Sequence, residues 1–398
     1  MANDNDDSSK TMSRRRALEV LGIGGMSLAT SAILPSSVKA GYDTDLSLHT
    51  RLTREFGIRW PFVGAGMGFV AMPELVAAVS NAGGMGVLGN AIEPPPGTQI
   101  LIQQIRQLTD RPFGVDFSVV DTPAGPGTLD AHIEVAAAER VSLVVFHFDL
   151  PKRDWVLQLQ AVGTRVWAQV PSFQQAMDAL DLGVDGIVAQ GSEAGGHNRN
   201  TTTPLRELLR EILRNTRKPV LASGGIVTGR DAARALHAGA EGVWVGSRLI
   251  ASVEAHAHPE YKRRVANAGR GETVSTTMFG PELPDEPYRV LRNRVVNEWA
   301  GREDEIPSPP PPPATIGTTV LFPLTLRVPY TMPKFSAVVP DPETEGDFEE
   351  MGLPAGAGSH RIRSVLPAGR IVREMMHEAR EALDDIACGR DDADWGRD

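Results

Sequence analysis

The chain has 398 residues, of which 41% are hydrophobic, and a formal net charge of −10 at pH 7. A chain of this length and composition can bury a large core, which excludes disorder of the whole protein. The acidic balance excludes nucleic-acid binding, which needs a clustered basic face. The single cysteine, Cys388, excludes an intramolecular disulfide and a Cys-rich zinc site, and we expect no bound metal.

The first 40 residues predict an export signal. Arg14, Arg15 and Arg16 precede an apolar stretch at residues 20–34 that is too short to span a bilayer, and small residues follow at 37–40. This arrangement resembles a twin-arginine signal. We expect export to the periplasm or the extracellular space, with a mature chain that begins near Gly41. If the segment is instead an uncleaved tail, the protein would stay in the cytoplasm. No membrane span is expected.

Short apolar runs alternate with helix-period segments from residue 61 to residue 249, which is typical of β/α units with a parallel sheet. The clearest helix is predicted at 172–182, where Ser172 can cap the start and Gly183 can end the helix. The predicted strands are 61–63, 85–88, 113–117, 143–146, 166–169, 186–189, 220–222 and 242–245. Eight strands and recurring Gly-containing turns favour a closed (β/α)₈ TIM barrel at residues 41–285 over an open, doubly wound sheet.

The carboxyl-terminal part differs in composition from the barrel. Residues 286–345 are predicted to be a Pro-rich insertion, in which residues 307–313 form an extended surface spacer rather than a ligand for a proline-recognition domain. Residues 346–385 are predicted to pack on the barrel through an amphipathic helix at 368–383, and 386–398 form a polar tail. The inward side chains of that helix should be Ile371, Met375, Ala379 and Leu383.

The segment 189–197 follows the predicted sixth strand, at the end of the barrel where active sites of this fold lie. The amide of Gln190 could contact the edge of a flavin ring, and Gly195 would let the backbone pass close to a planar cofactor. His197 can act as an acid or as a base near neutral pH. Taken alone, however, a histidine after such a loop is more often a surface or hydrogen-bonded structural residue than a catalytic one.

Two further loops predict a phosphate site. Gly224 and Gly225 follow the seventh predicted strand, and Gly246 and Ser247 follow the eighth. In barrels, the loops at these two positions commonly bind phosphate through backbone N–H groups. The alternative is that the glycines only form tight turns. Arg248 could add a charged contact or belong to a structural ion pair.

Taken together, these motifs resemble the nitronate monooxygenase family, formerly called 2-nitropropane dioxygenases, over residues 50–383. The matching stretches are 72–84, 145–151, 190–197, 222–247 and 366–374. The resemblance implies an FMN-containing barrel with His197 as the active-site histidine. His147, which ends the fourth predicted strand, could contact the substrate or merely pack. The FMN contacts expected from the resemblance are Ala65, Met67, Asp116, Gln190, Gly195, Gly224, Gly225, Gly246 and Ser247.

The chain departs from the family pattern at several positions. Residues 64–67 read Gly-Ala-Gly-Met where the family commonly has Gln-Ala-Pro-Met, and Asp116 replaces a usual Asn. An ionised Asp116 beside an electron-rich flavin would disfavour the reduced anion, so either the carboxylate turns away or the redox balance differs. Trp244 replaces a frequent Gln, and the Pro-rich insertion is not typical.

The resemblance implies that a small organic anion, an alkyl nitronate, is oxidised with O₂ to a carbonyl compound and nitrite. A protonated His197 would bind the nitronate oxygens, whereas a neutral His197 could remove the α-proton of a nitroalkane. A rival is an FMN-dependent enoyl-acyl-carrier-protein reductase, which shares the barrel and a stretch like 258–262. Gln190, where those reductases usually have Glu, argues against that rival. A non-catalytic barrel that binds a phosphorylated metabolite is a third hypothesis.

Overall fold

The computed structural model describes residues 48–123 and 125–390. The predicted export signal and most of the predicted polar tail therefore lie outside the described residues. Among the described helices, none is both long enough and apolar enough to cross a membrane.

Eight parallel strands form the central sheet. Strands β1 to β8 cover Phe62–Gly64, Val87–Asn90, Gly114–Val119, Leu143–Phe148, Arg165–Val170, Gly186–Gln190, Val220–Ser223 and Gly242–Val245. Their spatial order is β1-β8-β7-β6-β5-β4-β3-β2, and the parallel bridge between Val63 and Met85 joins the two ends of this order. This nearly closed barrel confirms the predicted fold class.

One helix precedes the barrel strands, and the others lie between and after them. Helices α1 to α12 cover Arg51–Phe56, Pro73–Asn81, Pro95–Leu108, Asp130–Ala138, Arg153–Ala161, Phe173–Leu182, Leu205–Asn215, Gly229–His237, Ser247–Ile250, Pro259–Ala266, Arg294–Trp299 and Ala368–Ala387. The Ser172 hydroxyl caps α6 by accepting a hydrogen bond from the N–H of Gln175, and Gly183 ends this helix in the left-handed conformation. Both features agree with the prediction for 172–182.

The barrel interior is filled at its amino-terminal end. Trp167, on β5, is fully buried there and packs in a cluster with Leu52 of α1 and with inward side chains of other strands. The strands are buried on both faces because the helices cover the outside, which explains their nearly continuous apolar sequences. Because side chains close this end, the carboxyl-terminal end of the barrel is where a ligand cavity can form.

The chain after α10 builds antiparallel strands around the barrel. Thr273–Thr276 pairs with Tyr288–Leu291, which also pairs with Gly196–His197. Thr315–Leu321 forms a hairpin with Val328–Pro333 and also pairs with Glu345–Gly346. The remaining elements are the short strands Asp121–Thr122 and Gly125–Pro126 and the 3₁₀ turns Glu303–Glu305 and Ala357–Arg361.

The segment predicted to be an extended insertion, 286–345, thus contains a helix and strands, and only part of it is irregular. The proline run at 307–313 has neither helix nor strand and is mostly exposed. The hairpin is ordered by burial, since Ile316, Thr319 and Met332 lose nearly all contact with solvent. This burial is a tertiary effect that the local sequence does not display.

Helix α12 packs against α8 and α2 on the outside of the barrel. Ile371, Met375 and Ala379 are buried as predicted, and Leu383 is half-buried. The helix continues to Ala387, four residues beyond the predicted end at Leu383, because no Pro or Gly interrupts the chain before Gly389.

Candidate active site

A cavity of about 670 Å³ lies at the carboxyl ends of the barrel strands. All the predicted site residues except Arg248 line it, which places strands β3, β4 and β6 and the loops after β1, β6, β7 and β8 around one volume. These residues are Ala65, Met67, Asp116, His147, Gln190, Gly195, His197, Gly224, Gly225, Gly246 and Ser247.

The loops after β7 and β8 are neighbours because these two strands pair directly. Among the described residues, no backbone carbonyl accepts a hydrogen bond from the N–H groups of Gly224, Gly225 or Gly246. The Ser247 hydroxyl accepts a hydrogen bond from the N–H of Gly356 and keeps its own proton for donation. This end of the cavity therefore presents several unused donors, which suits a phosphate.

Arg248 does not line this cavity. Its guanidinium is buried and donates hydrogen bonds to the backbone carbonyls of Ala251 and Ser364. Arg248 is therefore not placed to contact a phosphate in the cavity. Its side chain instead connects the backbone at Ala251 to the backbone at Ser364.

Position 195 requires glycine because another segment of the chain packs closely against it. A Cβ atom at this position would lie 2.5 Å from the carbonyl carbon of Ala355 and would overlap the N–H of Gly356. The sequence suggested that this glycine makes room for a cofactor, whereas the structure shows that it makes room for the segment before the second 3₁₀ turn. Gln190 lies nearby and donates a weak hydrogen bond of 3.4 Å to the carbonyl of His197.

His197 is held in the cavity wall by the short strand Gly196–His197. Its ring stacks on Tyr288, with the centroids 4.1 Å apart and the planes at 15°. Its Nδ1 is buried and has no hydrogen-bond partner in the described part of the chain. Burial, chiefly, and the neighbouring His147 lower the pKa of His197 to about 3, against a smaller opposing effect of the Pro287 backbone. The ring is therefore neutral at pH 7.

Asp116, His147 and Ser118 form a hydrogen-bonded row on the adjacent strands β3 and β4. The Asp116 Oδ1 lies 2.7 Å from Nδ1 of His147, and the His147 Nε2 lies 3.2 Å from the Ser118 hydroxyl. Burial raises the pKa of Asp116, while the charge of His147 and its hydrogen bond lower it in part. The carboxylate thus lies in the cavity wall but is directed at an imidazole.

Phe148 separates the two imidazoles. Its ring centroid lies 4.7 Å from that of His147 and 5.8 Å from that of His197. Its backbone has a φ of 70°, which is unfavourable for a residue with a Cβ atom. Strain of this kind persists where the surrounding structure fixes the residue, and it is common at functional sites.

Several residues of the cavity were missed by the sequence analysis. Ser118, Gly66 and Tyr288 line it, and so do three side chains of the hairpin at 315–333, namely Leu321, Phe322 and Tyr330. Gly66 was noted only as a departure from a family pattern, and its closeness to Asp116 was not foreseen. The hairpin residues carried no local signal, because the fold alone brings them to the barrel.

The family model described as nitronate monooxygenase matches residues 49–378. The chain belongs to this family. It is accordingly an oxidoreductase of the nitronate monooxygenase family.

Two curated relatives illustrate the range of the family. A probable nitronate monooxygenase of Staphylococcus aureus (strain Newman) is 29% identical over 84% of this chain and 98% of its own length. A (3aS,4S,5R,7aS)-5-hydroxy-7a-methyl-1-oxo-octahydro-1H-indene-4-carboxyl-CoA dehydrogenase of Mycobacterium tuberculosis (strain ATCC 25618 / H37Rv) is 34% identical over 64% of this chain and 69% of its own length.

Two solved structures share the whole barrel. Nitroalkane oxidase from Streptomyces ansochromogenes has a TM-score of 0.68 at 28% identity and covers 84% of this chain and 99% of its own. FabK from Thermotoga maritima has a TM-score of 0.70 at 29% identity, with 86% of this chain and 99% of its own covered. Both similarities support the fold that the strand order shows.

Proposed function

We propose that this family member binds FMN and oxidises alkyl nitronates with O₂ to a carbonyl compound and nitrite. The observation that carries the proposal is the convergence of His197 with the glycine loops after β7 and β8 in one cavity. Membership of the nitronate monooxygenase family and the similarity to a nitroalkane oxidase support the same chemistry.

The residues present fit FMN. The unused N–H groups of Gly224, Gly225 and Gly246, with the Ser247 hydroxyl, would hold its phosphate. Of the remaining predicted contacts, Ala65, Met67, Gln190 and Gly195 would line its ring system, whereas the Asp116 carboxylate is directed at His147. When bound, FMN supplies the redox group that accepts electrons from the substrate and passes them to O₂.

A neutral His197 would orient the substrate by a hydrogen bond rather than by charge. Its lowered pKa disfavours the imidazolium that the sequence left open as an anion-binding group. The stacked Tyr288 ring fixes the imidazole plane, so that a nitronate oxygen would meet a preoriented group.

An absorbance spectrum and a nitrite assay test this proposal. The purified protein, incubated with FMN, should show flavin absorbance after gel filtration and release nitrite from ethyl- and propylnitronate with consumption of O₂. A colourless protein would favour the non-catalytic phosphate-binding barrel. Oxidation of NADH or NADPH coupled to an enoyl thioester, without nitrite release from nitronates, would favour the reductase.

A second candidate is the dehydrogenation of a larger acyl-CoA thioester. The cavity is lined by apolar side chains from several elements, including Phe69, Ile92, Leu321 and Val338, which a small nitronate would not use. The 34% identity to the Mycobacterium tuberculosis carboxyl-CoA dehydrogenase favours the same class. Anaerobic bleaching of the flavin by a panel of hydroxyacyl-CoA thioesters, but not by nitronates, would establish this candidate over the first.

A further inference from the structure

We propose that His147, held by Asp116, is the general base that takes the α-proton from a neutral nitroalkane, while His197 binds the substrate without exchanging that proton. The inference rests on the proposed function and adds a proton-transfer step before oxidation. It assigns a catalytic residue, His147, and a positioning residue, Asp116.

The geometry of the pair is that of an oriented base. Asp116 is almost completely buried and its carboxylate lies 2.7 Å from Nδ1 of His147, while the imidazole is partly exposed to the cavity. A carboxylate at Nδ1 accepts the ring proton there, which leaves Nε2 as the basic nitrogen. Among the described residues, Nε2 reaches only the Ser118 hydroxyl at 3.2 Å, a contact that a substrate can replace.

Gly66 makes room for this carboxylate. A Cβ atom at Gly66 would overlap the Cβ of Asp116 and lie 2.6 Å from its Oδ2. Any other residue at position 66 would therefore displace the Asp116 side chain. Gly66 and Asp116 thus form a matched pair that gives His147 its carboxylate partner.

His197 is poorly suited to the same task. Among the described residues no carboxylate contacts its ring, its Nδ1 is buried without a partner, and Tyr288 covers one face. Burial, chiefly, lowers the pKa of His197 to about 3, which makes this imidazole a weak base.

The proposed step is a simple proton transfer. The His147 Nε2 forms a bond to the α-hydrogen as the C–H bond breaks, and the electron pair of that bond moves into the nitro group, which gives the nitronate. Asp116 stabilises the resulting imidazolium through Nδ1–H. The nitronate is then oxidised as in the proposed function, and the proton on His147 returns to solvent.

The test compares a neutral nitroalkane with its preformed nitronate. In His147→Gln, kcat/KM for nitroethane should fall roughly 10²–10⁴-fold more than kcat/KM for ethylnitronate, because only nitroethane needs the base. Asp116→Asn should likewise lower the ratio of kcat/KM for nitroethane to kcat/KM for ethylnitronate. His377→Gln, on the exposed face of α12, is the matched control and should leave the ratio within about twofold of the wild type.

Two further measurements separate a chemical role from a structural one. Added imidazole should restore nitroethane oxidation in His147→Ala, and α-deuterated nitroethane should give a larger isotope effect on kcat/KM in Asp116→Asn than in the wild type. Gly66→Ala should lower the ratio of kcat/KM for nitroethane to kcat/KM for ethylnitronate, while the flavin absorbance of the purified variant persists.

Specific outcomes would overturn the inference. An unchanged ratio in His147→Gln, with ethylnitronate still oxidised, would remove His147 as the base. A ratio that falls in His197→Asn instead would assign the base to His197. A wild-type protein that does not oxidise ethylnitronate would contradict the proposed function itself. Failure of the proposed function can therefore be distinguished from failure of the assignment of His147.

Discussion

Two imidazoles lie in one cavity in different electrostatic settings. His147 shares a hydrogen bond with a buried carboxylate, whereas His197 stacks on Tyr288 and has no carboxylate partner among the described residues. The strained Phe148 lies between them. Because one ring is kept neutral and the other is paired with Asp116, the two can take different parts in a reaction.

At the scale of single residues, His197→Asn should keep FMN bound and lose nitronate turnover. The phosphate donors are on other loops, so the flavin absorbance of the purified variant should match that of the wild type. Loss of a preoriented hydrogen bond to the substrate should lower kcat/KM for ethylnitronate roughly 10²–10³-fold. Undiminished nitrite release by a fully flavinated variant would remove His197 from this role.

At the scale of elements, each part of the site comes from a different β/α unit. The turns after β6, β7 and β8 supply His197 and the glycine loops, while β3 and β4 supply Asp116 and His147. The hairpin at 315–333 adds apolar side chains over the same cavity. The barrel fixes where these elements end, and the loops fix the chemistry.

Helix α12 contributes to stability and lies away from the cavity. Met376 is fully buried where this helix packs on the barrel, so Met376→Ala should lower the free energy of unfolding by roughly 2–5 kcal/mol. Glu381→Ala, an exposed position on the same helix, should change it by less than about 0.5 kcal/mol. Urea unfolding followed by circular dichroism measures both, and equal effects would contradict the packing described for α12.

At the scale of the whole molecule, we propose that the enzyme is exported in its folded state. The twin-arginine-type segment lies outside the described residues, so this proposal rests on the sequence alone. A folded route would let the protein take up its flavin before export. Amino-terminal sequencing of the native protein should find a start near Gly41, and a mature protein that retains residues before Ser37 would contradict cleavage.

The periodic parts of this protein can be predicted from local sequence patterns. The eight strands and the glycine loops after the sixth, seventh and eighth follow from local patterns, since apolar runs and turn glycines depend on neighbours in the chain. His197 could be predicted as a site residue because it follows the end of a predicted strand and because its motif resembles that of a known family. The resemblance also implied that Asp116 contacts FMN, but no local pattern indicated that Gly66 and His147 lie against it.

How these residues interact depends on contacts that form only in the folded chain. Asp116 and His147 are 31 positions apart and meet because β3 and β4 are neighbours in the barrel. His197 acquires its stacking partner and its low pKa from Tyr288 and from burial, and the hairpin reaches the cavity from beyond the proline run. Distances and desolvation between remote segments are properties of the folded chain, and no local pattern encodes them.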